Sequence, residues 1–275
     1  MPTPPATRFN PFPGLRPFRT EEKYLFFGRE DQTAELLTRL RRTRFLAVVG
    51  TSGSGKSSLV RAGLLPELHG GTMTKAGSSW EVAVMRPGGD PITNLAQALC
   101  DADLYSNKEA DFPAQVQATL NRSGLGLVEA VRQAGLPADT NLLLVVDQFE
   151  EIFRFHERGG EQQEQAGAFV NLLLEASGQE AHAIYVVLTM RSDFLGDCAQ
   201  FRGLAEAVNQ GEYLIPRLNR NQCRAAIEGP VKVGGGVIAP RLSQQLLNDV
   251  GDDPDHVREN RARLRALLPA EPAWR

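Results

Sequence analysis

Cysteine is scarce in this chain of 275 residues, and there is no large excess of charge of either sign. The three cysteines lie far apart and none belongs to a Cys-x-x-Cys pair, which excludes a disulfide scaffold and argues against a cysteine-rich zinc site. The four histidines are equally dispersed. A formal net charge of -3 provides no basic surplus, so the composition gives no strong sign of a nucleic-acid binder.

Long apolar runs are absent as well. The longest ones, around 142–146 and 184–188, have the length of buried strands and are far too short to cross a bilayer. The first residues are rich in proline and lack the apolar segment of a secretory signal. We therefore expect a cytoplasmic protein that does not bind membranes.

Strand and helix patterns alternate along the chain. After an extended proline-rich lead-in (1–25), helices are predicted over about 31–42 and 56–65, with Pro66 ending the second, and the pattern is helical again from Asn219. Such alternation predicts an α/β fold in which a central parallel sheet lies between helices. The predicted strands are 45–49, 80–85, 142–146, 183–190 and 212–215.

A glycine-rich segment follows the first predicted strand. Gly50-Thr51-Ser52-Gly53-Ser54-Gly55-Lys56-Ser57 matches the P-loop pattern in full, between a strand and a helix. Glycines let the backbone curl so that N–H groups point at phosphate oxygens, and the helix adds the positive end of its dipole. We expect Lys56 to reach the β- and γ-phosphates and Ser57 to bind Mg²⁺. The residues expected at the ATP or ADP phosphates are Gly50, Ser52, Gly53, Ser54, Gly55, Lys56, Ser57 and Ser58.

Carboxylates follow a second apolar strand. Asp147 directly follows Leu142–Val146, where a P-loop enzyme holds the magnesium ion and its hydration shell. The next position, where many such ATPases have a water-activating carboxylate, is Gln148, whose amide cannot take a proton at neutral pH. Glu150 or Glu151 could take that role, or both could simply stabilise the first turn of a helix. We therefore expect slow hydrolysis.

An arginine directly follows another predicted strand. Arg191 follows Tyr185–Met190, and ligands of open α/β sheets bind at the carboxyl ends of the strands. A guanidinium there can sense the γ-phosphate. The alternative is a surface salt bridge to Asp193.

Several segments, in this order, carry a resemblance to a known family. The chain resembles the STAND class of signal-transduction ATPases, which are AAA-like, and within it the bacterial novel STAND NTPase 1 group. The resemblance covers roughly 10–255. The segments are 10–18, 25–30, the P-loop, 147–151, 189–194, 214–218 and 226–230.

The resemblance implies a role for further residues and a domain organisation. Phe27, Gly28 and Arg29 would lie against the adenine and ribose, and Arg191 would be the γ-phosphate sensor. The chain would divide into the lead-in, a P-loop ATPase domain and a partial helical lid, followed by an atypical arginine-rich tail. Their limits are 1–25, 26–216, 217–255 and 256–275.

The resemblance also implies a function. Proteins of this class are switches in signalling or defence, closed with ADP and oligomeric with ATP, and they work with effector and sensor domains. We therefore expect a protein partner or a missing sensor or effector domain, and an ATP-dependent homo-oligomer in a full-length form. The family pattern is lost after Asp255, which we interpret as a truncated, frameshifted or minimal variant.

Two other functions agree with the same P-loop. A small-molecule P-loop kinase would need arginines near the phosphates, and Arg217, Arg220 and Arg224 could supply them. A scaffold that binds nucleotide without hydrolysing it would agree with Gln148.

Overall fold

The computed structural model describes most of the chain, in two compact units. The described residues are 10–69, 79–102, 104–105, 112–137, 139–157, 159–179 and 183–252. Within them, the first unit comprises 10–33, 53–66 and 216–252, and the second comprises the described parts of 34–52 and 67–215. The predictions for 1–9, for the end of the lid (253–255) and for the tail (256–275) lie outside the described residues.

The second unit contains a five-stranded parallel sheet. Its strands are β1 (Phe45–Gly50), β2 (Ser79–Met85), β3 (Thr140–Val146), β4 (Ile184–Arg191) and β5 (Glu212–Leu214). They lie in the order β2-β3-β4-β1-β5, and every neighbouring pair is parallel. The central strands are buried along nearly their whole length, as expected when helices cover both faces of a sheet. The predicted strands and the predicted fold class, a parallel sheet between helices, are confirmed.

Helices connect the strands and continue beyond the last of them. The α-helices are α1 (Glu30–Thr43), α2 (Lys56–Ser58), α3 (Leu65–His69), α4 (Pro91–Asp101), α5 (Phe112–Leu120), α6 (Gly126–Ala134), α7 (Glu151–His156), α8 (Gly160–Gly178), α9 (Leu204–Gly211), α10 (Arg220–Val233) and α11 (Pro240–Asp252). Within the described residues, none of these helices has both the length and the apolar character that spanning a membrane requires.

The helix after the P-loop differs from its prediction. Pro66 was expected to end it, but the helix passes through Pro66 and continues to His69. Residues Leu59–Leu64, directly before α3, are π-helical. The wider π-helical turn leaves room for the proline ring, and Pro66 lies in the first turn of α3, where a missing N–H is tolerated. The expectation was wrong because it assumed an uninterrupted α-helix.

Aromatic side chains anchor the segment that follows β3. Phe149 and Phe153 are fully buried, and their rings meet edge to face with centroids 5.7 Å apart. Phe153 also stacks on Phe194, again at 5.7 Å. Packing of this kind fixes the turn between β3 and α7, which contains Asp147 and Glu150 and leads into Glu151, the first residue of α7.

Two small apolar clusters lie within the described residues of the first unit. Phe18, Leu25 and Ala62 form one, with Phe26 packed against it. Ile227 of α10 and the pair Leu246–Leu247 of α11 form the other. The lead-in and the segment after the P-loop are therefore packed together, and α10 packs on α11.

Candidate functional site

The P-loop has the strand–turn–helix context that the sequence predicts. β1 ends at Gly50, and α2 begins at Lys56. Gly53 and Gly55 have φ angles of 84° and 91°, in the left-handed region that glycine adopts without strain. The first helical turn closes with a hydrogen bond of 2.8 Å from the Leu59 N–H to the Gly55 carbonyl oxygen.

Polar side chains of the P-loop are buried. Lys56 and Ser58 are both nine-tenths or more buried. The Ser54 hydroxyl oxygen is buried without a hydrogen-bond partner in the described part of the chain. The Ser58 hydroxyl, in contrast, accepts a hydrogen bond of 3.2 Å from the Phe18 N–H, so it ties the lead-in to the helix that follows the P-loop.

The segment Phe27-Gly28-Arg29 lies against α10. Gly28 has a φ of 82°, and a Cβ there would lie 2.4 Å from the carbonyl oxygen of Gln222. The Phe27 ring contacts Gly229, because a Cβ at Gly229 would lie 2.6 Å from two of the ring carbons. At both places only glycine allows so close an approach.

Arg29 connects two distant parts of the first unit. Its guanidinium donates to the Pro216 carbonyl oxygen at 2.7 Å and to the Ser54 carbonyl oxygen at 3.3 Å. The residue is only 9% exposed. Sequence reasoning missed this arrangement, because nothing near Arg29 in the sequence identifies carbonyl groups 25 and 187 residues away.

The carboxyl ends of β3 and β4 meet at one edge of the sheet in the second unit. Asp147 follows β3 and is fully buried, and its Oδ1 accepts a hydrogen bond of 2.6 Å from the Thr189 hydroxyl. Its Oδ2 lies 3.9 Å from Nη2 of Arg86. Thr189 was not predicted as a site residue, since a threonine inside a buried strand is most often a packing residue.

The two glutamates after Asp147 have different surroundings. Glu151 accepts a hydrogen bond of 2.9 Å from the Gly88 N–H, so its carboxylate holds the turn after β2. Glu150 is only 8% exposed, and its Oε2 has no hydrogen-bond partner in the part of the chain described here. Gln148, between these glutamates and Asp147, has a φ of 59°, which is unusual for a residue other than glycine.

Arg191 ends β4 directly beside the start of the P-loop. The register of the sheet pairs it with Gly50. Its Nε donates to Asp193 Oδ1 at 3.0 Å, and this hydrogen bond raises the pKa of Arg191. The guanidinium also lies over the Phe194 ring, 5.5 Å from its centroid. Both the strand-end position and the alternative contact to Asp193 are therefore present.

Known structures with a similar fold include a protein named as an ATPase and one determined in its ADP form. A Walker-type ATPase of Pyrococcus abyssi superimposes with a TM-score of 0.52 and 13% identity, over 86% of this chain and 65% of that one. The ORC2 protein of Aeropyrum pernix in its ADP form gives 0.54 and 14%, over 90% and 61%. A chain of the HORMA:CdnC:Trip13 complex of E. coli MS115-1 gives 0.50 and 14%, over 93% and 88%.

These likenesses concern the fold, at low sequence identity. The chain spans less than two thirds of the length of the Pyrococcus and Aeropyrum proteins. No curated protein sequence is similar enough to count as a relative. The family model described as Novel STAND NTPase 1, however, matches residues 11–258, and the chain therefore belongs to that family of P-loop NTPases.

Proposed function

We propose that this chain binds ATP and ADP with Mg²⁺, hydrolyses ATP slowly and acts as a nucleotide-controlled switch in signalling or defence. One observation carries the proposal. A complete P-loop leaves β1 at Gly50, on the same edge of the sheet where β3 ends before Asp147 and β4 ends at Arg191. Ligands of open α/β sheets bind at that edge.

The P-loop suits a phosphate group. Left-handed Gly53 and Gly55 give the turn a form in which successive N–H groups can face an anion. A phosphate oxygen would also give the buried Ser54 hydroxyl the partner that buried polar groups normally have. We assign Lys56 to the β- and γ-phosphates, and Phe27, Gly28 and Arg29 to the base and sugar.

The side chains available also suit Mg²⁺. Ser57 offers a hydroxyl oxygen and Asp147 a carboxylate, and such hard oxygen donors are the ligands that this ion prefers. Bound Mg²⁺ would neutralise charge on the β- and γ-phosphates. The part of Asp147 is to hold the ion's hydration shell, and that of Ser57 is direct ligation.

Water activation is best assigned to Glu150. A general base needs a carboxylate that is not already committed to a structural hydrogen bond. Glu151 holds the Gly88 N–H, whereas Glu150 has a buried oxygen without a partner in the described residues. Because the base lies three positions after Asp147 and Gln148 occupies the usual position, we propose turnover below the roughly 10 s⁻¹ typical of enzymes.

Arg191 is proposed as the sensor of the γ-phosphate. Its partner Asp193 is half-exposed, so water can solvate the aspartate if the guanidinium turns to a phosphate. An exposed ion pair of this kind contributes little to stability, so a triphosphate can offset its loss.

The region from 217 to 255 is proposed as a lid after an ATPase domain that spans 26–216. Its described part consists of α10 and α11, and α10 contacts Phe27 and Gly28. A nucleotide bound against Phe27 would therefore sense the position of α10, and a ligand biases only the states that it contacts differently. We further propose a cytoplasmic location, a protein partner or sensor domain, and ATP-dependent self-association of a full-length form.

Replacement of the P-loop lysine tests the proposal. Lys56→Ala should weaken Mg-ATP binding by at least about tenfold, or about 1.4 kcal/mol, in a calorimetric titration. Lys232→Ala is the matched control, because Lys232 is largely exposed on α10 and pairs only loosely with Glu228, at 3.7 Å. Unchanged affinity in a folded Lys56→Ala protein, or an equal loss in the control, would remove the basis for the assignment.

A further inference from the structure

Thr189 lies where two strands end side by side. It is the third residue from the end of β4, and it is only 1% exposed. β4 is the direct neighbour of β3, whose last residue Val146 pairs with Leu188. Thr189 is therefore one step beyond the last paired position and beside the start of the turn that contains Asp147.

The hydrogen bonds of Thr189 have a defined direction. Its hydroxyl lies 3.0 Å from the Gln148 N–H, which can only donate, so the oxygen accepts there. The one hydroxyl hydrogen is then available for Asp147 Oδ1, at 2.6 Å. The Thr189 carbonyl oxygen accepts a third hydrogen bond, of 2.9 Å, from the Phe149 N–H.

These contacts fix both the turn and the carboxylate. Gln148 has a φ of 59°, a conformation that a residue other than glycine adopts only when its surroundings hold it there. The Thr189 hydroxyl holds it from one side and, at the same time, sets the rotation of the Asp147 carboxylate. A side chain without that hydroxyl would leave a buried carboxylate oxygen and a partly buried N–H each short of one partner.

We propose that Thr189 is a positioning residue for the magnesium-binding carboxylate, an inference that rests on the proposed function of Asp147. Groups that orient a metal ligand from behind typically contribute 10- to 100-fold to metal affinity. Thr189 contacts the ligand and the turn and acts through them, so its effect should appear in the magnesium dependence of nucleotide binding.

The test measures how much Mg²⁺ strengthens nucleotide binding. The full chain is titrated with a non-hydrolysable ATP analogue, once in EDTA and once in excess Mg²⁺. The dissociation constant in EDTA divided by that in Mg²⁺ is then compared between the wild type and each variant. Thr189→Val, which keeps the shape but lacks the hydroxyl, should reduce this ratio at least about tenfold and leave the EDTA value within about twofold. Thr189→Ser should keep the ratio near that of the wild type.

A buried threonine elsewhere provides the matched control. Thr119 of α5 is 3% exposed, and its hydroxyl donates to the Gln115 carbonyl oxygen. Thr119→Val should leave the magnesium ratio unchanged. If Thr189→Val does not fold, Thr189→Ala removes the same hydroxyl and carries the same expectations.

A second background separates positioning from packing. In the Asp147→Asn background, the further change Thr189→Val should alter the ratio less than about twofold. Thr189 acts through the Asp147 carboxylate, so once that carboxylate is removed the two changes are not additive. An equal loss in both backgrounds, or a wild-type ratio in Thr189→Val, overturns the role of Thr189 alone. A wild-type protein whose binding does not respond to Mg²⁺ overturns the proposed magnesium site and this inference together.

Discussion

Replacing Arg29 with alanine should destabilise the protein by about 2–4 kcal/mol. The side chain is nine-tenths buried and donates two hydrogen bonds, at 2.7 Å to Pro216 and at 3.3 Å to Ser54. A hydrogen bond from a charged group contributes about 1.5–3 kcal/mol net, and the longer of the two belongs at or below the low end. Urea unfolding without nucleotide, compared at equal m values, measures the loss.

Two further variants define the cause of that loss. Arg29→Lys keeps the charge, but one ammonium group cannot reproduce a planar fork that reaches two carbonyl oxygens, so we expect about half of the loss. Arg42→Ala, at an exposed position of α1, is the control and should stay within about 0.5 kcal/mol of the wild type. If Arg29→Ala destabilises no more than Arg42→Ala, the two hydrogen bonds do not contribute what their geometry implies.

Three other predictions concern catalysis, sensing and pH. In a phosphate-release assay, Glu150→Gln should slow ATP hydrolysis at least about 100-fold with ATP affinity retained. Glu151→Gln should change the rate less than about threefold. The reverse pattern would identify Glu151 as the base. Arg191→Ala should reduce the preference for ATP over ADP without weakening ADP binding. An equal loss of affinity for both nucleotides would mean that Arg191 is not a sensor of the γ-phosphate. The hydrogen bond from Arg16 lowers the pKa of Glu22 from 4.5 to about 2. Because that pKa is depressed in the folded state, the contribution of Glu22 to stability should be complete above about pH 5 and disappear as the pH falls through about 2. The free energies of unfolding of the wild type and Glu22→Gln, measured across this pH range, check the sign of the effect. A difference between the two proteins that does not change with pH contradicts it.

The strands and the P-loop were predictable because their signals are local. Buried parallel strands need continuous apolar runs, and 142–146 and 184–188 are such runs. The P-loop motif contains its own turn glycines and follows a strand directly, so its position required no knowledge of distant contacts.

Other features depend on contacts that the sequence does not reveal. The carboxylate of Glu151 accepts a hydrogen bond from the N–H of Gly88, which is 63 residues away, and that of Glu150 does not. Because this difference depends on a distant contact, the two glutamates look equivalent in the sequence. The π-helical turn that accommodates Pro66 depends on packing. Gly63 lies in this turn, close to the side chain of Thr33. A Cβ at position 63 would lie only 2.6 Å from the Thr33 hydroxyl oxygen, so the packing there requires glycine.

The close approach of α10 to Phe27 and Gly28 restricts the directions in which α10 can move. A single added carbon at Gly28 or Gly229 would already overlap the opposite surface, at 2.4 Å and 2.6 Å. Close-packed atoms resist compression steeply, whereas pulling them apart only weakens a dispersion attraction that is small for each pair of atoms. α10 therefore cannot approach the segment further and can only move away from it. Such a movement would uncover the Phe27 ring, so the same glycines that allow the close approach also limit the direction in which α10 can move.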